Sequence, residues 1–97
     1  MNATIVNAIK NRERLSLVYD GIRREVEPHA YGVSSKGNEI LRCFQVSGGH
    51  NSERAHDWNL LTVSKITGLA TTGVNFAGPR PDYRRGDKAM VRIYQEL

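Results

Sequence analysis

The chain has 97 residues, of which 39% are hydrophobic and 25% are charged. These values are typical of a single globular domain that can bury a modest core. No apolar run approaches the roughly 20 residues that a membrane-spanning helix needs, and the first residues lack the basic and then apolar order of a signal peptide. We therefore expect a cytoplasmic protein without membrane contact. The single cysteine, Cys43, excludes an intrachain disulfide and fits a reducing compartment.

The net charge is +4, from 14 basic and 10 acidic residues. Such an excess favours an anionic partner, for example nucleic acid. A basic surface that only keeps the protein in solution explains the charge equally well.

A short helix is predicted within residues 1–12. Asn2 is suited to cap it, because its side chain can accept a hydrogen bond from a free backbone N–H group. Ile5, Ala8 and Ile9 fall at helical spacing, and Asn11 is predicted to end the helix in a left-handed conformation. A helix of two to three turns is not stable alone, so it must pack on the rest of the domain.

Alternating apolar residues next predict two strands, at 15–19 and 22–27. Asp20-Gly21 between them indicates a tight hairpin turn, since both turn positions need positive backbone angles. Pro28 then predicts an edge position or a bend, because proline has no N–H group to donate to a strand ladder. Residues 31–34 are predicted to form a further short strand.

After a turn at Lys36-Gly37-Asn38, residues 40–46 are apolar on both alternating faces except at Arg42 and Gln45. The pattern predicts a central strand packed on both sides. An arginine in such a strand requires a partner or a ligand, because a buried unpaired charge is costly. Arg42 is therefore the strongest single candidate for a ligand-binding residue.

Residues 47–57 are polar and predict a loop of a length that is often functional. A strand is predicted from 58 to 63, with a continuation at 66–69, and Trp58 is interpreted as a core residue. Residues 73–97 form a basic segment whose last part, 89–97, fits a final strand or a short helix. Together the elements predict a mainly β domain: a short N-terminal helix followed by a small antiparallel β-barrel with strands at 14–72.

The order of these features resembles the WYL domain, a small module with an Sm-like, SH3-type barrel found in many bacterial regulators. The features that carry the resemblance are Ala8-Ile9, the strand ending in Tyr19, Arg24 four residues before Pro28, and the late strand with Lys65-Ile66. The Trp-Tyr-Leu triplet of the family aligns with Glu39-Ile40-Leu41, so only the leucine is retained. Asn59 occupies a position that is basic in the family.

The resemblance implies that residues 1–97 are a single WYL-like domain. WYL domains resemble ligand-sensing modules, often attached to a DNA-binding helix-turn-helix, and are thought to bind nucleic acid or nucleotide-like ligands. By this resemblance the chain is expected to act in transcription regulation, as a stand-alone sensing domain or with a regulatory protein partner. No cofactor is expected.

The predicted ligand-binding residues combine cations that suit phosphate with aromatic rings on which bases stack. They are Tyr19, Arg24, His29, Tyr31, Arg42 and Lys65. A second candidate set in the basic segment is Arg80, Tyr83, Arg84 and Arg85, which could follow a phosphate backbone. The alternatives are an internal salt bridge from Arg42 to Glu25, Glu27 or Glu39, and a solvated loop for the second set.

No metal site and no catalysis are predicted. The histidines, Asp57 and Cys43 lack the spacing of zinc ligands, and no nucleophile, base and orienting residue occur together. A different class of function remains open, a protein-interaction or homo-oligomerising module whose exposed strand edges pair with other chains.

Overall fold

The computed structural model describes residues 1–48 and 57–97. In this part of the chain the protein is mainly β, as predicted, with six antiparallel strands in one sheet and one short N-terminal helix. The elements are α1 (Ala3–Asn11), β1 (Glu13–Tyr19), β2 (Ile22–Val33), β3 (Glu39–Gly48), β4 (Asp57–Thr62), a 3-10 turn (Val63–Lys65), β5 (Thr67–Asn75) and β6 (Arg92–Glu96).

Helix α1 begins and ends on local signals. The Asn2 side chain accepts a hydrogen bond of 3.1 Å from the N–H of Ile5, which confirms the predicted cap. The left-handed residue at the other end is Arg12, with φ of 51°, one position after the predicted Asn11. The buried face of α1, which carries Ile5 and Ile9, packs on the sheet and supplies the stability that a nine-residue helix lacks alone.

The hairpin between β1 and β2 is confirmed. Asp20 and Gly21 both have positive φ, 53° and 72°, and pair Tyr19 with Ile22 at the end of the ladder. This backbone twist matches that of the flanking strands.

Strand β2 is longer than predicted and does not end at Pro28. Along one edge it pairs with β3 over nearly its whole length, and along the other it pairs first with β1 and then with β6. The β1 ladder stops at Val26 and the β6 ladder starts at Ala30, so Pro28 lies where that edge pairs with no described strand. A register shift between Pro28 and Ala30 accommodates the proline, which therefore marks an irregularity inside one strand.

The strand order is β4-β3-β2-β1-β5, with β6 beside β2. The hydrogen-bonded ladder does not close between β4 and β5 in the described residues. The predicted continuation from residue 58 to 69 is wrong, because the 3-10 turn separates two strands. Strand β5 extends to Asn75, beyond the predicted limit of 72, and its mostly exposed side chains explain why apolar alternation did not reveal it.

Of the strand and the short helix considered for residues 89–97, the structure has the strand, β6. An irregular segment at 77–91 precedes it. This segment covers the outer face of β2 and β3, where Met90 packs with Ala30 and Ile40 in a small second core. The main core lies on the other face, between the sheet and α1. Among the described residues, no helix has the length and apolar character required to cross a membrane.

Candidate functional site

The segment at 82–88 and the outer face of β3 and β4 enclose an open groove of about 540 Å³. We call this the basic groove. Its lining residues are Arg42, Trp58, Asp82, Tyr83, Arg84, Arg85, Gly86, Asp87 and Lys88. It therefore unites Arg42 of the first predicted set with Tyr83, Arg84 and Arg85 of the second.

Arg42 lies at the wall of the basic groove, where it forms an ion pair with Asp87. Its Nε donates to Oδ2 of Asp87 at 2.7 Å and its Nη2 donates to Oδ1 at 3.3 Å. The hydrogen bond from Arg42 lowers the pKa of Asp87 below its ordinary value. The internal salt bridge that we considered for Arg42 is present, but its partner lies in the C-terminal segment and is none of the three glutamates.

Two aromatic side chains, Trp58 and Tyr83, face the same groove. Their ring centroids lie 6.1 Å apart with an interplanar angle of 26°. Trp58 is half-buried and also contacts Phe44, at 5.3 Å between centroids. The interpretation of Trp58 as a pure core residue is therefore incomplete, because part of its ring is available to a ligand.

The exposed cations of the basic groove differ in their pairing. Arg85 is held by Glu96 of β6 at 3.2 Å, and Glu96 also accepts the Gly86 N–H. Arg84 and Lys88 are exposed and form no ion pair with any residue in the ranges 1–48 and 57–97. These two cations are free to meet an anion.

His29 lies directly beneath the two rings and is fully buried. Its Nε2 accepts the Arg80 N–H at 3.1 Å, so the ring proton is assigned to Nδ1, which donates to the Glu27 carbonyl at 2.8 Å. The rings of Trp58 and Tyr83 meet it at centroid distances of 4.7 Å and 5.0 Å. His29 is thus a neutral structural support for the groove and is not exposed to a ligand.

Burial lowers the pKa of His29. The hydrogen bond to the Glu27 carbonyl acts in the opposite direction but is the weaker effect, so the pKa lies below its ordinary value. Because the unfolded chain takes up a proton near pH 6.5 and the folded chain does not, the free energy of unfolding should fall as the pH drops below about 6.5. We expect a slope approaching about 1.4 kcal/mol per pH unit, measured by urea denaturation between pH 7.5 and 5.5. The variant His29→Gln should show a flatter profile, and an unchanged slope would contradict this role.

Behind His29, Glu27 is buried at 1% exposure and binds two arginines. Arg80 contacts it with Nε at 2.7 Å and Nη2 at 3.1 Å, and Arg14 with Nε at 3.0 Å. Burial alone raises the pKa of Glu27, but the hydrogen bonds and charges of Arg80 and Arg14 outweigh it and lower the pKa. This cluster fastens the C-terminal segment to β2.

A second pocket of about 400 Å³ opens beside this cluster, and we call it the arginine pocket. Its lining residues are Arg14, Glu27, Asn75, Phe76, Ala77, Gly78, Pro79 and Arg80. Arg12 stands at its rim, where Nη1 donates to the Ala77 carbonyl at 2.9 Å. Arg80, predicted from its neighbours in the sequence, is thus mainly a structural ion-pair residue that also lines a pocket.

The remaining predicted residues lie elsewhere. Arg24 is buried at 7% exposure, and its Nε has no hydrogen-bond partner within residues 1–48 and 57–97. Its other contacts are long, 3.5 Å to Oε1 of Gln45 and 3.4 Å to the Tyr19 carbonyl, and its Cζ lies 5.5 Å from the Tyr19 ring centroid. Tyr19 and Arg24 are therefore together, but neither lines the basic groove.

Tyr31 and Lys65 are also separate from the groove. The buried Tyr31 hydroxyl donates to Glu39 and accepts the Asn2 N–H, which ties α1 to the sheet. Burial raises the pKa of Tyr31 to about 12. Lys65 is exposed in the 3-10 turn, three residues after Thr62, whose N–H donates to the Tyr19 hydroxyl. The first predicted set thus divides among several places instead of forming one site.

The described residues contain no group of three His, Cys, Asp or Glu side chains placed to hold a metal ion. His50 and His56, and most of the polar loop that was predicted to be functional, lie outside the described residues. Cys43 is fully buried, and burial raises its pKa to about 12, so it is a neutral thiol at physiological pH.

Comparisons with known proteins found no match to this chain among family models, curated proteins or solved structures.

Proposed function

We propose that this chain is a WYL-like regulatory domain with an Sm-like, SH3-type barrel that binds an anionic ligand, most concretely single-stranded nucleic acid or a nucleotide, in the basic groove. For the barrel, support comes from the sheet topology. Strand β2 is shared between β1 and β6, and a three-residue 3-10 turn joins the two end strands, β4 and β5. Strongly bent small sheets have this arrangement.

The observation that carries the binding function is the combination of rings and cations in one groove. The half-buried rings of Trp58 and Tyr83 line the groove, where their exposed parts can meet a base, and Arg84 and Lys88 are exposed and unpaired among the described residues. Stacking platforms with a positively charged track are the usual means of holding single-stranded nucleic acid. The groove contains Asp82 and Asp87 as well, but Asp87 is neutralised by Arg42.

The double variant Arg84→Gln, Lys88→Gln should weaken binding of a short fluorescein-labelled single strand of DNA or RNA. We expect the slope of log affinity against log salt concentration to become shallower by about 1.4, since each lost phosphate contact to a single strand contributes about 0.7. Fluorescence anisotropy at a series of salt concentrations measures this slope. Quenching of Trp58 emission by the same unlabelled strand reports contact with the groove.

The matched control is Arg23→Gln, Lys36→Gln, which removes the same charge from exposed positions outside the groove. Its salt slope should equal that of the unaltered protein. Equal losses in both double variants would show that only net charge matters and would refute a specific groove. Absence of binding at low salt would refute the proposed function.

A second candidate function is pairing of strand edges with other chains. Strands β4 and β5 end the sheet and carry exposed apolar side chains, Leu60 at 41% and Val74 at 46% exposure. Unpaired edges of this kind can add a strand from a partner. Size-exclusion chromatography with light scattering distinguishes the two candidates, because a stable oligomer that ignores nucleotides would favour the edges over the groove.

A further inference from the structure

The arginine pocket and the basic groove are linked through Arg80, which lines the pocket and lies over the ring of Phe44, a neighbour of Trp58 in the groove. We propose that they form one continuous track and that the ligand is a single-stranded oligonucleotide of about four or more nucleotides, rather than a mononucleotide. This inference rests on the proposed function and deepens it. It adds a second phosphate-binding position at Arg12, which the sequence patterns did not indicate.

A chain of direct side-chain contacts between the two pockets supports continuity. Arg80 lines the arginine pocket, and its Cζ lies 4.8 Å from the centroid of the Phe44 ring. Phe44 contacts Trp58 at 5.3 Å, and Trp58 lies 6.1 Å from Tyr83 in the basic groove. The carboxylate that binds Arg80 is Glu27, which is buried at 1% exposure. A strand could therefore place bases along the rings and phosphates at the cations on either side.

Arg12 is the cation best placed to receive a phosphate at the rim of the arginine pocket. It is exposed, and its guanidinium is fixed by one hydrogen bond to the Ala77 carbonyl. No carboxylate in the part of the chain that the structure describes pairs with it. A guanidinium that is oriented by one hydrogen bond and still has free N–H groups is well prepared for a phosphate oxygen.

The charge balance of the pocket favours the same ligand. Arg14 and Arg80 pair with two carboxylates, Glu25 and Glu27, and Arg12 adds a third cation at the rim. Because Glu27 is buried at 1% exposure and bound by two arginines, its charge is not presented to solvent. The surface of the pocket is thus basic, whereas a mononucleotide in the basic groove would leave it unused.

The test compares ligand length. Anisotropy measures labelled oligothymidylates and oligouridylates of two to eight nucleotides, and Trp58 quenching measures the mononucleotides dTMP and UMP. Affinity should rise steeply up to about four nucleotides and only weakly beyond that length. The variant Arg12→Gln should bind the octamer with a salt slope shallower by about 0.7 and bind the mononucleotide as the unaltered protein does.

The matched control Lys36→Gln should change neither measurement. If mononucleotide and octamer bind with equal affinity, or if Arg12→Gln behaves as Lys36→Gln does, the continuous track is refuted while binding in the basic groove stands. If no probe of any length binds at low salt, the proposed function and the track fall together.

Discussion

Replacing Gly32 by alanine should detach β6 from the sheet and lower the free energy of unfolding by more than about 3 kcal/mol. A Cβ atom at this position would lie 2.1 Å from the carbonyl oxygen of Arg92 and 3.0 Å from the Cα of Ile93. Both are backbone atoms of the paired strand, so relief requires β6 to move away from β2. Urea denaturation measures the loss, and hydrogen exchange of the amides at 92–96 locates it.

The control for this experiment is Gly37→Ala. Gly37 has φ of 84°, and a Cβ added there would meet no atom within 4 Å. The substitution should therefore cost only what alanine loses by adopting a left-handed conformation, about 1–2 kcal/mol. Exchange at 92–96 should not change in the control. If Gly32→Ala were no more destabilising than Gly37→Ala, the close approach of β2 and β6 would be wrong.

Detachment of β6 should also disturb the basic groove. Glu96 of this strand accepts the Gly86 N–H at 3.0 Å and pairs with Arg85. Without these contacts the wall of the groove keeps its Arg42–Asp87 ion pair but loses its attachment to β6. Gly32→Ala is therefore expected to weaken binding of a single strand although Gly32 does not line the groove.

The sequence predicted the parts of the fold that depend on neighbouring residues. The cap of α1 at Asn2 and the Asp20-Gly21 hairpin are set by the backbone preferences of one or two residues, and both are confirmed. Strand β3 was also predicted, because its apolar run is long. Only its inner face is fully buried, however, since Arg42 and Phe44 on the outer face are covered in part by the C-terminal segment.

The types of residue in the candidate site could be predicted from the sequence, but their location in the fold could not. The contacts that build it join Arg42 to Asp87 and His29 to Arg80, pairs that are far apart in the chain. Nothing in local periodicity indicates that an irregular, basic segment will lie across a sheet. Two sequence signals fall on residues that line the groove, the run of cations around Tyr83 and the arginine at position 42 in an apolar strand.

The second large effect is expected from Glu27→Gln. This change retains the shape of the side chain but removes the charge that Arg14 and Arg80 share. Removing one partner of a buried ion pair is strongly destabilising, but the arginines here are 27% and 37% exposed and can partly return to water. We therefore expect a loss of about 2–3 kcal/mol, which corresponds to a fall in Tm of roughly 10–20 °C in calorimetry.

Glu25→Gln provides the comparison, because Glu25 contacts the same Arg14 but only once, at 3.4 Å, and is 31% exposed. Its loss should cost at most about 1 kcal/mol. Equal effects of the two substitutions would show that Glu27 does not hold the C-terminal segment in place.

Acid titration distinguishes the stability contributions of Glu27 and His29, because the two are lost in different pH ranges. The pKa of Glu27 is lowered on folding. Its contribution to the free energy of unfolding is therefore complete above about pH 4.5 and is lost only as the pH falls below that value. The contribution of His29 is lost earlier, from about pH 6.5 downward. Glu27→Gln should thus reduce stability at neutral pH and remove the share of Glu27 in the loss below pH 4.5, while the share of Asp87 and the loss that begins near pH 6.5 remain.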